Sequence, residues 1–326
     1  MTRLPAHHPL SQVLRSYLGE PDQTDGFVLE RLRASRPVFR FSASGDGTGL
    51  VGKFYVDQVP TNSQDRSLAQ EYRNYLAAPD WGLGAGVIPR LVGHAPGVRL
   101  GLLLEAVPAP DLDHFLAAAA QGEGLETCLS KVTKLAELLA FFHSRPMPRQ
   151  PVSPEPALRY FHKLKGQLRA LELISPEEKG LLAEEGRAWE ARLAAFPDHQ
   201  ILLHGDATPT NFLFPDGRAL AVDLERLRAG DRLFDLSWVT GEFRHAWGWR
   251  GRDFTESEAA IQSFFRAYLE ALPADGALAR RIFSLNPFYM ALAKLRIARN
   301  SYLSWEYRRA LVEEAWRCLT YGRRMT

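Results

Sequence analysis

The 326 residues are 46% hydrophobic and 24% charged with a formal net charge of +2, an ordinary globular composition in a chain long enough for two domains or one two-lobed domain. Its basic residues are scattered rather than gathered in a stripe, which argues against a nucleic-acid partner, and no run approaches the ~20 apolar residues that cross a bilayer. The first twenty residues lack an apolar core of signal-peptide length, so the expectation is a soluble, cytoplasmic protein. A chain of this size buries about three quarters of its unfolded surface, so stability requires no disulfide or metal. Cys128 and Cys318 lie on helix-like stretches without metal-ligand spacing and read as buried thiols.

Pro9–Leu18 reads as a short leading helix. From Phe27 the pattern changes to strands, at 28–33, 38–42 and 50–56, each bounded by turn signals. The connector Ser44-Gly45-Asp46-Gly47-Thr48-Gly49 joins the last two. Gly47-x-x-x-x-Gly52-Lys53 matches most of a phosphate-binding P-loop. Two features oppose that reading: Phe54 stands where a Mg²⁺-binding Ser or Thr belongs, and Phe54-Tyr55-Val56 continues a strand where a helix should open. Lys53 therefore sits inside an apolar strand, where a lysine ordinarily snorkels to the surface. The next helix starts near Asn62-Ser63, plausible N-cap residues, and carries Leu68, Tyr72, Tyr75 and Leu76 on one face with Glu71 beside it.

Residues 81–96 are Gly/Pro-rich and irregular, followed by a strand over 98–104 and the stretch Glu105-Ala106-Val107-Pro108-Ala109-Pro110. A helix begins at Asp111. The clearest helix is Leu125–His143, with Leu125, Cys128, Leu129, Val132, Leu135, Ala136, Leu139 and Phe142 at helical spacing. After a proline-rich loop at 146–156, helices are expected over 157–173 and 176–196. Ser175-Pro176-Glu177-Glu178 supplies the N-terminal signature of the second.

The richest stretch is 201–225, ILLHGDATPTNFLFPDGRALAVDLE. Ile201-Leu202-Leu203 runs into His204-Gly205-Asp206, and Asn211 follows five residues later. Phe212-Leu213-Phe214, the turn signal Pro215-Asp216-Gly217-Arg218 and Leu220-Ala221-Val222 then lead to Asp223 and Glu225. One hairpin-like unit would present Asp206, Asn211 and Asp223 close together. These residue types suit phosphoryl transfer: a carboxylate to orient and deprotonate a hydroxyl, and an amide oxygen and second carboxylate as hard oxygen ligands for Mg²⁺. Helices are expected again at 233–247, 256–272 and 287–321.

Asp206-x-x-x-x-Asn211 with Asp223 twelve residues on is the catalytic-loop arrangement of protein-kinase-like enzymes. The His204-Gly205-Asp206 form resembles aminoglycoside phosphotransferases, choline kinases and related small-molecule kinases. Val222-Asp223-Leu224-Glu225-Arg226, Ala229-Gly230-Asp231-Arg232 and Asp235-Leu236 extend the likeness. The resemblance implies an α+β, bilobal protein-kinase-like fold: a small antiparallel-sheet lobe with one helix at 1–104, a hinge linker at 105–110, and a mainly helical catalytic and acceptor-binding lobe at 111–326.

The same resemblance implies ATP and Mg²⁺ as cofactors. It places Asp206 as the base, Asn211 and Asp223 as metal ligands, and Lys53, set by Glu71, on the nucleotide phosphates. Adenine would meet backbone atoms near Glu105 and Val107. The turn Ala34-Ser35-Arg36-Pro37 lacks the glycines that cover phosphates in protein kinases, leaving the Ser35 hydroxyl as a weaker phosphate contact. His143 and His204 are expected to be structural, as is Asp235, bonding to loop backbone, while Asp231 is a candidate to hold the acceptor-site lobe together.

A small molecule rather than a protein is the expected acceptor of the phosphoryl group. Ala207-Thr208-Pro209-Thr210 carries no lysine, Asp223 is followed by Leu-Glu instead of Phe-Gly, and no Ala-Pro-Glu segment follows. The alternative is a nucleotide-binding pseudokinase scaffold without turnover. Acidic residues (Glu256, Glu258, Glu306, Glu313, Glu314) and basic ones (Arg280, Arg281, Arg296, Arg299) are equally available to an acceptor, so its identity stays open, as do ATP against GTP and the oligomeric state.

Overall fold

The computed structural model describes residues 2–19, 26–32, 36–43, 49–57 and 62–324. Ser35 and Gly47 lie outside them. In chain order the elements begin β1 (Thr2–Leu4), α1 (Pro9–Leu18), β2 (Phe27–Arg31), β3 (Val38–Ser42), β4 (Leu50–Phe54), α2 (Ser63–Ala77), β5 (Leu91–Ala95) and β6 (Leu100–Glu105). There follow α3 (Leu112–Ala120), α4 (Leu125–His143), α5 (Glu155–Ala170), α6 (Pro176–Ala195), β7 (Ile201–Leu203), β8 (Phe212–Leu213) and β9 (Leu220–Ala221). The chain ends with β10 (Arg228–Gly230), α7 (Leu233–Trp249), α8 (Glu258–Glu270), α9 (Gly276–Ala298) and α10 (Trp305–Arg324). Two compact units result: Met1–Asp111 with Asn211–Leu227, and Leu112–Thr210 with Arg228–Thr326.

The first unit is built on a six-stranded antiparallel sheet in the order β1-β2-β3-β4-β6-β5. Leu10 and Leu14 of α1 join Leu4, Phe27, Phe41, Leu50, Leu100 and Leu103 in one buried cluster. Burial of such side chains contributes about 1.5–3 kcal/mol each. Helix α2 starts at the cap foreseen in the sequence, with Asn62 Oδ1 accepting from Asp65 N at 2.8 Å. It crosses β6 at Gly101, where an added Cβ would come within 2.7 Å of Leu68 Cδ2 and 2.8 Å of the Tyr55 ring. Lys53 lies mid-strand opposite Val38 on one side and Leu102 on the other. A strand here, with α2 opening only at Ser63, removes the P-loop reading.

The hairpin β8–β9 pairs Phe212 with Ala221 and Leu213 with Leu220. Its turn is the anticipated Pro215–Gly217, with Asp216 and Gly217 at φ 47° and 75°. Ala221 N donates to Val87 O at 2.8 Å and Phe214 N to Pro110 O at 3.0 Å, tying the hairpin into this unit.

The second unit is helical apart from the two-stranded pair β7–β10. The anticipated stripe of α4 buries Cys128, Val132, Leu135, Leu139 and Phe142, and burial pushes the Cys128 thiol up to about 12. Cys318 is only half-buried, its Sγ accepting from Lys294 Nζ at 3.0 Å. Aromatic packing of Trp189 and Phe161 on Phe288, and of Phe243 on Phe264, completes the interior. The capping box at α6 forms as the sequence indicates, Ser175 and Glu178 each bonding the other's backbone N–H.

Several elements depart from expectation. Strands β1 and β5 form where no strand, or an irregular stretch, was read; both are short edge strands in a sheet that supplies their pairing. On α2, Leu76 is 55% exposed, while Glu71 and Asn74 are buried in its place. The helix expected over 287–321 is two helices, α9 and α10, separated by the polar stretch 299–304. Pro287 does not start a helix but lies inside α9. Its ring packs toward α10 at Gly322, where a Cβ would meet Pro287 Cβ at 2.4 Å, so tertiary contact outweighs the lost intrahelical hydrogen bond.

Candidate active site

In the sheet-bearing unit the polar centre is Lys53. Its stem leaves β4 and its Nζ donates to both Glu71 carboxylate oxygens, at 2.7 and 2.8 Å, and to Asp223 Oδ1 at 3.0 Å. The ordinary snorkelling of a strand lysine is thus replaced by a buried three-charge cluster. Burial alone would lower the Lys53 ammonium, but Glu71 and Asp223 outweigh it and hold the group above its usual value. Burial pushes the Glu71 carboxyl up to about 7 despite the opposing pull of Lys53. With the ammonium donating to both of its oxygens, Glu71 is the ionised partner of a charged pair in weakly alkaline solution.

Hairpin β8–β9 explains why Asn211 and Asp223 share a neighbourhood. Asn211 precedes the first strand and Asp223 follows the second, and Val222 N donates to Asn211 O at 2.9 Å across the open end. Asp223 has a left-handed backbone, φ 63° and ψ 62°, a conformation costing a non-glycine residue about 1–2 kcal/mol. Neighbouring groups hold it there: Asn74 Nδ2 of α2 donates to Leu224 O at 2.6 Å, and Arg36 pairs with Glu225 at 2.6 Å. The Asp223 side chain stays 34% exposed.

Asn211 and Asp223 are both hard-oxygen donors of the type Mg²⁺ accepts beside phosphate oxygens and water, so this donor set fits that ion. Glu105 ends β6, its backbone N–H donating to Arg90 O at 3.0 Å. Val107 lies in the proline-stiffened stretch beyond, where Ala109 N donates to Val107 O at 2.9 Å.

The Asp206 loop belongs to the helical unit. It leaves β7, which is fixed by pairing Leu203 with Arg228 and Leu202 with Ala229. Asp235, in the first turn of α7, accepts from His204 N at 2.7 Å and Gly205 N at 2.9 Å, using both oxygens. His143 Nε2 contacts the same carboxylate at 3.3 Å, while its Nδ1 meets the Tyr268 hydroxyl at 2.8 Å. Burial would raise the Asp235 carboxyl, yet the His143 hydrogen bond, the charges of His143 and His204 and the Gly205 N–H bring it below its usual value. Burial lowers the His143 imidazole. His204 Nδ1 accepts from Asp206 N at 3.4 Å, and Thr208 N donates to Asp206 O at 2.7 Å, shaping the turn that carries the carboxylate. Both histidines and Asp235 therefore brace the loop.

A second buried network holds the same unit. Asp231 accepts from Arg281 Nη1 and Nη2 at 2.9 and 2.7 Å and from the Tyr289 hydroxyl at 2.7 Å. Arg232 binds Asp198 and the Tyr268 hydroxyl. Several charges considered available to an acceptor are engaged internally: Arg281 here, Arg296 with Glu242, Arg299 with Gln167, Glu258 with Arg244, and Glu314 with Arg317 and Lys294. Glu242 was missed in the sequence. Burial raises its carboxyl against the pull of Arg296, and the charges of Asp206 and Asp113 raise it further. Asn74 was missed too, since an asparagine inside a helix carries no distinguishing signal.

Residues 31–280 match the sequence pattern of the phosphotransferase enzyme family. No curated protein sequence matches significantly. Among solved structures, a choline/ethanolamine kinase family protein from Mesorhizobium loti superposes with TM-score 0.58 at 18% identity, covering 97% of this chain and 99% of that one. An ethanolamine kinase from Plasmodium vivax gives 0.58 at 13% identity over 94% and 84% of the two chains. The ternary complex of APH(2″)-IIa with streptomycin and ATP gives 0.57 at 14% identity over 97% of each. The sheet-bearing and helical units carry the fold those kinases share. With the family pattern spanning most of its length, this chain belongs to the phosphotransferase enzyme family and has the protein-kinase-like fold of those kinases.

Proposed function

We propose that the protein transfers the γ-phosphoryl group of ATP to a hydroxyl of a small-molecule acceptor, with Asp206 as the base. The observation that supports this most is the convergence of Glu71 and Asp223, 18 and 170 residues away in sequence, on the Lys53 ammonium. A buried ammonium held by one carboxylate from a helix and one from a hairpin is oriented before a polyanion arrives, and exchange of its Asp223 bond frees a donor for phosphate. Lys53 aligns the nucleotide phosphates and Glu71 sets Lys53. Residues 105–110 form the linker, with adenine hydrogen-bonded to backbone near Glu105 and Val107, and Ser35 remains a candidate phosphate contact.

Asp206 accepts the acceptor's hydroxyl proton while that oxygen bonds to the γ-phosphorus and the bond from phosphorus to the β,γ-bridging oxygen breaks, leaving ADP. The bracing of its loop by Asp235, His204 and His143 supports a fixed carboxylate. Asn211 and Asp223 would hold Mg²⁺, and the ion would supply positive charge against the nucleotide phosphates. The transition state is loose, so positioning and charge neutralisation provide most of the rate.

The test is Mg²⁺-dependent ADP release across a panel of amino sugars, neutral sugars, amino alcohols and hydroxy amino acids, with Asp206→Asn and Asp223→Ala alongside. Turnover with one acceptor class that is lost in both variants is the expected result. Undiminished turnover in Asp206→Asn overturns the base assignment, and undiminished turnover in Asp223→Ala overturns the metal assignment.

A further inference from the structure

Asp223 is held through its side chain and through the backbone beside it. Lys53 takes its carboxylate, and Asn74 takes the carbonyl of the next residue, Leu224, at 2.6 Å. Asn74 and Leu224 are both buried, so this carbonyl has a side-chain amide where water would otherwise serve. The amide's orientation is itself determined: Asn74 Oδ1 accepts from Gln70 Nε2 at 2.9 Å, one turn back on α2, and Gln70 Oε1 accepts from Arg73 at 2.7 Å. A relay of side-chain hydrogen bonds thus runs along α2 and ends on the backbone of the turn that carries Asp223. Glu71, which orients Lys53, lies on the same helix between Gln70 and Asn74, so one turn of α2 governs both the carboxylate's charge partner and its backbone.

The left-handed conformation of Asp223 is what makes Asn74 matter. An aspartate there relaxes toward ordinary backbone once its neighbours release it, and relaxation swings the carboxylate direction. Loss of Lys53 would change the charge around Asp223. Loss of Asn74 would change its aim.

We infer that Asn74 is a positioning residue for the metal-binding carboxylate, acting through the Leu224 carbonyl to hold Asp223 toward the ion, with Gln70 orienting the Asn74 amide. This rests on the reading of Asp223 as a Mg²⁺ ligand. The measurement is the affinity of the full-length protein for a non-hydrolysable ATP analogue, by calorimetry, in excess Mg²⁺ and again in EDTA. The ratio of the two affinities reports the metal contribution, whereas a merely structural defect lowers both together.

Asn74→Ala is expected to reduce that ratio about 10-fold, the scale at which groups supporting a metal ligand act, with little change in the EDTA value. Gln70→Ala, at a half-buried position, should reduce it by a smaller factor in the same direction. A wild-type ratio in folded Asn74→Ala overturns the inference. If Asn74→Ala fails to fold, a wild-type ratio in Gln70→Ala overturns it instead. Asp223→Ala separates the two levels: if the ratio survives that substitution, the metal reading itself fails, and if it collapses there but not in Asn74→Ala, only the role of Asn74 fails.

Discussion

Replacing Glu71 by glutamine should move stability and function in opposite directions. Glu71 is fully buried, and its carboxyl titrates near 7 in place of its usual 4.5. At about 1.36 kcal/mol per pH unit, keeping it ionised above pH 7 costs the folded state about 3 kcal/mol relative to the unfolded chain. The sign follows from proton counts. Between pH 4.5 and about 7 the folded protein holds a proton on Glu71 that the unfolded chain has released, so this residue's contribution declines as pH rises through that window. Lys53, raised above its usual value, contributes stability that is complete below 10.5 and is lost as pH rises from there through its folded value, so it does not compensate within the window.

Glu71→Gln removes the titration. Lys53 is not stranded by the change, because Asp223 Oδ1 remains at 3.0 Å. Urea unfolding at pH 5 and pH 8 should therefore show the wild type losing about 3 kcal/mol relative to the variant between the two conditions. Over the same comparison kcat/KM for ATP should fall about 10- to 100-fold, since a charge-assisted bond orienting Lys53 is worth about 1.5–3 kcal/mol. Parallel pH dependence of wild type and variant would refute the argument that a desolvated, ionised Glu71 is held in place by the lysine.

Asp235→Ala strands two backbone N–H groups, those of His204 and Gly205, and removes the carboxylate that meets His143 Nε2. It should destabilise the protein by about 3–5 kcal/mol by chemical denaturation, and a loss below 1 kcal/mol would show that the loop is held by other means. His245, half-buried against the Tyr307 hydroxyl at 2.9 Å, is brought down to about 4 by burial and by Arg250 and Arg296. Its contribution is complete above 6.5 and is lost as pH falls through 4, a loss of about 3 kcal/mol that His245→Phe should abolish in an acid-unfolding series.

Much of this was written locally. The α4 stripe, the α6 capping box, the turn at 215–217 and the cap of α2 are decided by side chains within a few residues of one another, and each formed where its pattern lies. The His204-Gly205-Asp206 loop, Asn211 and Asp223 stood out as candidates for a related reason, since they lie at fixed spacing in one short stretch. Asn74 was not legible, because nothing near it in sequence reveals that its amide meets a carbonyl 150 residues away. Lys294, fully buried in α9 beside Glu314 and Cys318, was equally silent. Arg281 reads from sequence as a charge available to an acceptor, but Asp231 and Tyr289 close around it in the fold.

From its own order of residues the chain determines most of its strand and helix segments, the caps of α2 and α6, and the spacing of the residues proposed for phosphoryl transfer, because periodicity, turn chemistry and motif spacing act over a few positions. Which lysine meets which carboxylate, which charges are neutralised within the fold, how Pro287 is accommodated and what holds Asp223 in a left-handed turn are decided only by tertiary structure. Those outcomes depend on burial and on partners far apart in the chain, and the free energy of a buried polar group is set by what it meets after folding.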